Sequence, residues 1–148
     1  MAGMEGQPRA RPARAVIVHA AAEVAAVRAL AGAHPVAFLS APGVGAYLGV
    51  AGFRALLEAG GGFANGILDA ARAPGHALAA LRAGFGAVVL DPDVPAFPAL
   101  AALFAAEGRL LLPAPPPALD LARVNLMKPQ GRRHVARWLG LPGAGEMV

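Results

Sequence analysis

Residues 63–91 read FANGILDAARAPGHALAALRAGFGAVVLD, and this stretch decides the fold. Phe63 to Leu68 is a short, largely apolar run that ends at Asp69. It is too short for a stable helix and of the right length for a buried strand. Pro74 to Ala83 then carries helical spacing, with Pro74 suited to a first turn and Gly84 to a helix end. Ala87-Val-Val-Leu90 returns to β-branched residues and ends at Asp91. A strand, a helix and a second strand joined by short loops form a βα unit, whose two strands run parallel.

The same cycle extends in both directions. Upstream, Ala15-Val-Ile-Val-His19 predicts a first strand, Ala21 to Ala31 a helix stopped by Gly32, and Pro35 to Leu39 a second strand. A glycine-rich loop, Ser40 to Gly49, leads to a helix near Val50 to Ala59, and Gly60-Gly-Gly62 turns the chain. Downstream, Pro95 to Ala106 predicts a helix and Arg109 to Leu112 a fifth strand. The fold class is therefore α/β, built of repeated βα units on a parallel sheet. Two architectures satisfy it: half of a TIM-barrel-like fold, or an open doubly wound sheet. Residues 113–117, four of them proline, read as a stiff linker after the domain at 15–112. Residues 118–139 then read as one basic helix with Trp138 as its anchor, between a disordered tail at 1–14 and a frayed end at 140–148.

Composition narrows the function classes. A chain of 148 residues suits one domain, and an apolar fraction of 57% with a mean hydropathy of +0.54 excludes a disordered chain. The absence of cysteine removes disulfides, thiolate metal sites and cysteine nucleophiles, and fits a cytoplasmic protein. Residues 29–53 hold no charge, but Pro35, Pro42 and five glycines break any helix there, so no membrane span is expected. The net charge of +4 sits at the ends, in Arg9, Arg11 and Arg14 and in Arg123, Lys128, Arg132, Arg133 and Arg137. Between residues 15 and 122, five arginines face seven acids. Lacking a recognisable module or stacking aromatics, the basic ends read as solvated surface in an alanine-, glycine- and arginine-rich chain, and nucleic acid is not an expected partner.

In parallel α/β folds ligands bind at the carboxyl ends of the strands. His19, Ser40, Asp69 and Asp91 stand there, and each also suits a plain cap or turn. Gly43-Val-Gly45-Ala-Tyr-Leu-Gly49 follows a strand and precedes a helix, as a phosphate-cradling loop does, so a nucleotide-binding module is one alternative. Its third glycine is one residue late for the dinucleotide pattern, and no Walker-type Gly-Lys-Ser/Thr exists.

The order Ser40-Ala-Pro-Gly-Val-Gly-Ala-Tyr-Leu-Gly49, Ile67-Leu-Asp69, Ala80-Leu-Arg-Ala-Gly-Phe85 and Val88-Val-Leu-Asp91 resembles the first half of class II (zinc) fructose-bisphosphate and tagatose-bisphosphate aldolases, over residues 15–93. The resemblance implies a TIM-barrel-like fold, with Asp69 at the catalytic acid and Ser40 near the substrate phosphate. It also implies a departure. Ile67 and Ala70 stand where the family has the histidines of its His-x-Asp-His-Gly motif, and Ala71 replaces the glycine. The sole lysine, Lys128, lies far from any strand end, so a Schiff base has no candidate. The expectation is a non-catalytic, aldolase-like domain with no cofactor and no metal. It would bind a phosphorylated or polyol small molecule through Ser40, Gly43, Gly45, Asp69 and Asp91, with a homo-oligomer covering exposed edges. A metal-free enzyme acting on a sugar phosphate, with Asp69 as its base, is the other alternative.

Overall fold

The computed structural model describes residues 14–143. Among them strands and helices alternate: β1 (Ala15–Ile17), α1 (Ala21–Ala31), β2 (Ala37–Leu39), α2 (Val50–Gly60), β3 (Gly66–Asp69), α3 (Pro74–Arg82), β4 (Ala87–Val89), α4 (Phe97–Ala106), β5 (Leu110–Leu112), β6 (Ala118–Asp120) and α5 (Pro129–Leu139). The expected strands and helices form with their bounds shifted by at most a few residues. The segment after the prolines differs from expectation. Residues 118–139 are not one helix but a sixth strand, a 3₁₀ turn at Leu121–Arg123 and a helix that starts only at Pro129. The Asp120 carboxylate accepts the Ala122 N–H at 3.0 Å and turns the chain there, while Pro129 sets the helix start. Trp138 is an anchor, donating from Nε1 to the Ala15 carbonyl at 2.8 Å. The expected tails fall largely at 1–13 and 144–148, outside the described residues.

All strand pairs are parallel, in the order β5-β4-β3-β2-β1-β6. Side chains alternate across a strand, and the two faces differ. Val16, Phe38, Leu68 and Val88 point into the main core, which all five helices share through Val24, Phe53, Leu57, Ala80, Phe104 and Val135. The opposite face packs only strand residues together: Ala15, Ala37, Leu39 and Val89, with Ile17, Ile67, Leu112 and Ala118 around them. Helices therefore cover one face, and α5, α1, α2, α3 and α4 pack in the same sequence as their strands. The doubly wound alternative, which needs helices on both faces, does not describe this sheet. From β1 to β5 each crossover steps the same way, and right-handed crossovers stepping one way keep their helices on one side.

The connection from β5 to β6 explains the shape. Residues 113–117 are not a linker between units; they join strands at opposite edges of one sheet. The six steps from Leu112 to Ala118 reach about 22 Å at most. Five strand spacings of a flat sheet cover about 24 Å before the chain also returns to the start of a strand. The sheet must curl toward its helix-free face to let the edges approach. Alanines at 15, 37 and 118 on that face leave room for the curl. The sheet stays open, with β5 and β6 as free edges.

The main core is aromatic where the glycines allow close approach. Phe85 lies between Phe53, with ring centroids 6.1 Å apart, and the edge-on ring of Phe63 at 5.0 Å. A Cβ on Gly62 would fall 2.6 Å from Val24 and 2.8 Å from Phe38, so the turn before β3 must be glycine for α1 to close over it. The uncharged residues 29–53 fold as the end of α1, β2, a loop and the start of α2, and no helix among the described residues is long and apolar enough to cross a membrane.

Candidate functional site

β3 and β4 end side by side, Asp69 paired with Val89, and Asp91 follows two residues beyond. Asp69 is only 4% exposed, and its Oδ1 accepts the Ala71 N–H at 2.9 Å. Burial pushes its carboxyl above the ordinary carboxylate range, and the Ala71 hydrogen bond offsets part of that. Asp91 is half-buried and differently employed. Its Oδ2 accepts from Arg72 at 2.8 Å and its Oδ1 from the Asp93 N–H at 2.9 Å. Ala71 joins the two loops: its carbonyl accepts the Asp91 N–H at 2.8 Å. It also holds φ at +54°, the left-handed region that suits glycine, and is the one non-glycine among the described residues to do so.

These groups open into a cleft of about 320 Å³ whose other wall is Pro42 and the returning segment Pro113–Ala114–Pro115. The stiff proline run thus roofs the carboxyl ends of β3 and β4 on the helix-free face. Two carboxylates face one guanidinium in this cleft, so its charge is acidic. Asp69 Oδ2 has no partner among the described residues and is free to accept from a hydroxyl or ammonium group.

The remaining expected site residues lie elsewhere. Ser40 is fully buried; its hydroxyl accepts the Asp69 N–H at 2.9 Å and donates to the Ala41 carbonyl at 3.0 Å. It completes the β2–β3 ladder rather than lining the cleft. The Gly43 N–H donates to the Asp69 carbonyl at 3.0 Å, and the N–H groups of Ala46, Tyr47, Leu48 and Gly49 all turn back on Gly43 and Val44. The loop thus spends most of its own donors on itself and on Asp69. Gly45 answers to packing: a Cβ there would lie 2.7 Å from the ring of His76, whose Nδ1 is buried without a partner. The structure brings Asp69 and Asp91 together and assigns Ser40, Gly43 and Gly45 to the scaffold.

A second pair stands at the ends of β1 and β6. His19 Nε2 and Asp120 Oδ1 are 2.7 Å apart, and the Glu23 carboxylate fixes the start of α1 by accepting the His19 N–H at 2.6 Å. Burial raises the Asp120 carboxyl, but hydrogen bonds from His19 and the Ala122 N–H, with the nearby charges of His19 and Arg123, outweigh it and hold the group below its ordinary value. Sequence reasoning missed Asp120 because β6 offers only Ala118-Leu119 as an apolar signal after four prolines. It missed Arg72 because a loop arginine carries no periodicity, and its spacing of three from Asp69 was the only cue.

The zinc site implied by the aldolase resemblance does not fit these residues. Ala70 is fully buried in the helix-facing core, on the other side of the chain from Asp69. Among the described residues no three His, Asp or Glu side chains converge where a metal ion could sit. No family model, no curated protein and no solved structure matches the chain.

Proposed function

We propose that this chain is a non-catalytic, aldolase-like binding domain that takes a small polyol at the carboxyl ends of β3 and β4. The observation that carries the reading is Asp69: a nearly buried carboxylate, unpaired by any cation among the described residues, with one oxygen turned to a cleft of about 320 Å³. Clefts of this size hold small molecules, and a carboxylate that accepts two hydroxyls recognises a diol. A phosphorylated ligand is the weaker candidate, because Asp69 and Asp91 repel it and Arg72 is already engaged.

Titration of ¹⁵N-labelled protein with a panel of sugar alcohols, sugars and their phosphates tests the reading. Saturable shifts at Asp69, Ala71 and Arg72 are expected with a polyol, weaker with its phosphate, and lost in Asp69→Ala. A ligand whose phosphate ester binds more tightly than the parent alcohol would reverse the charge argument. Stoichiometric zinc with aldol-cleaving turnover would overturn the non-catalytic part.

The raised Asp69 carboxyl favours a second reading, a metal-free enzyme with Asp69 as general base. Loss of a screened activity in Asp69→Asn, with ligand binding retained, separates it from pure binding. The free β5 edge favours self-association. Leu110 is 60% exposed on β5, Leu103 is 42% exposed in the adjoining groove between α3 and α4, and residues 94–106 carry no charge to repel a second copy. Sedimentation at increasing concentration should show a dimer that Leu103→Lys disperses.

A further inference from the structure

The sequence places its excess positive charge at two ends of the chain, and the fold joins them at one edge. Arg14 lies 124 residues before Trp138, yet its guanidinium donates to the Trp138 carbonyl at 2.8 Å and sits 5.3 Å from the centre of the indole ring. From there α5 runs back along β1 and β6 toward Arg123 at the opposite end of the strands. Arg14, Arg123, Lys128, Arg132 and Arg137 are exposed and Arg133 is half-exposed. None of the six pairs with a carboxylate among the described residues. The acids nearby among the described residues are already engaged: Asp120 is taken by His19 and feels Arg123 only through its charge, and Glu23 accepts the His19 N–H.

The stability of the fold accounts for only part of this arrangement. Lys128 stands at the N-cap of α5, the end where a helix favours anions, and no acid occupies the first turn, whereas Arg137 sits in the last turn, where a cation is favoured. Arg133 and Arg137 are four residues apart on the outward side, a spacing at which like charges repel. Arg14 and Arg132 donate to the backbone carbonyls of Trp138 and Leu126, at 2.8 and 3.1 Å, but the net charge of the group meets no carboxylate among the described residues.

We infer that the α5 edge binds the phosphate backbone of nucleic acid without reading its sequence. Five of the six cations are arginine, whose planar fork matches phosphate oxygens in a way the lysine ammonium does not. α5 is about 16 Å long, enough to face several consecutive phosphates of a strand. Trp138 is covered by Arg14 and pinned through Nε1, which leaves the imidazole of His134 as the exposed ring on α5 and offers little platform for a base to stack on. The lack of a recognisable module and of stacking aromatics removes base readout, not phosphate contact. A membrane surface fits less well. The apolar side of α5, Val135, Ala136 and Leu139, is spent on the core, which leaves Met127 as the exposed apolar side chain beside the cations.

The test is independent of the polyol cleft. Fluorescence anisotropy of the full chain with a labelled arbitrary duplex DNA and an arbitrary single-stranded RNA, over a salt series, should show binding to at least one. Log affinity should fall linearly with log salt, with a slope of about −3 to −5 for four to six phosphates. The double variant Arg133→Glu/Arg137→Glu should lose at least about tenfold in affinity, and the double lysine variant, which keeps the charge, should retain most binding. The ratio of the two probes distinguishes duplex from single strand as the source of the phosphates. No binding to either at low salt, a flat salt dependence, or an unaffected glutamate variant overturns the inference. So does tighter binding to phosphatidylserine vesicles or to poly-glutamate, which would assign the edge to a lipid surface or an acidic protein instead.

Discussion

The two edges of the sheet are built from the same unit, a strand followed or preceded by a helix, and are finished in opposite ways. At one edge β5 and α4 are held by apolar packing: Phe104 is fully buried, Leu110 and Leu103 are exposed, and α4 carries no charge. At the other, β6 and α5 are held by directed polar contacts, Trp138 Nε1 to Ala15 at 2.8 Å and His34 Nε2 to the Leu139 carbonyl at 2.9 Å, beneath a layer of arginines. A free sheet edge invites another strand, and charge is one of the devices that prevents it. The difference teaches which edge can meet what. On the readings proposed above, the α4 side, which carries no charge of its own, would accept a second copy of the chain, and the basic edge would repel one and draw a polyanion.

The largest effect should come from the apolar edge. Phe104→Ala removes the one fully buried side chain of α4, and thermal unfolding should show a loss of about 3–5 kcal/mol. A smaller loss would mean that β5 and α4 contribute little to the fold. At the basic edge the sharpest probe is backbone contact. A Cβ on Gly131 would fall 1.9 Å from the Asn125 carbonyl oxygen, so Gly131→Ala should cost about 3 kcal/mol, and a silent substitution would contradict the seating of α5. Trp138→Phe keeps the ring but leaves the Ala15 carbonyl without its donor. A loss of about 1 kcal/mol is expected, insensitive to salt because the bond is not ionic.

Between the edges lies the strained loop of the cleft. Ala71→Gly relieves a left-handed alanine and should raise stability by about 0.5–1 kcal/mol after the entropic cost of glycine. Destabilisation there would show that the alanine methyl packs favourably enough to offset its strain. The smallest effects are in pH dependence, where the interior and edge carboxylates have opposite signs. Asp120 is held below its ordinary 3.8, so its contribution is present above that pH and fades as pH falls through its lowered value. Asp69 is raised above 3.8, so its contribution is present below that pH and is lost as pH rises through its raised value. In Tm against pH, Asp120→Asn should therefore fall behind the parent near neutrality and converge with it in acid. Asp69→Asn keeps the acceptor for Ala71 and should gain on the parent as pH rises. Parallel curves for the two variants would erase the distinction.

Much of the fold was legible because strand and helix differ in hydrophobic period, and glycine and proline mark the changes between them. The runs at Ala15, Pro35, Phe63, Ala87 and Arg109 each became a strand with its bounds shifted by at most a few residues. β6 was not legible, since three residues carry no period and the burial of Leu119 depends on β1 beside it. The candidate site was half legible. Asp69 and Asp91 stand at strand ends, where position alone implies a site, and they share the cleft. Ser40, Gly43 and Gly45 have the same local signature, but the Ser40 hydroxyl and the Gly43 N–H are used by Asp69, and the place of a Gly45 Cβ is taken by His76.

By itself the sequence determined a chain of parallel βα units, the residues at their carboxyl ends, and a positive excess near both termini, because local period and composition need no partner to be read. The tertiary structure alone decided that the helices keep to one face, that a proline run bends back over Asp69 and Asp91, and that Arg14 meets α5. Each of these joins residues distant along the chain, and such contacts are set by how a curled sheet closes its core rather than by any neighbour in sequence.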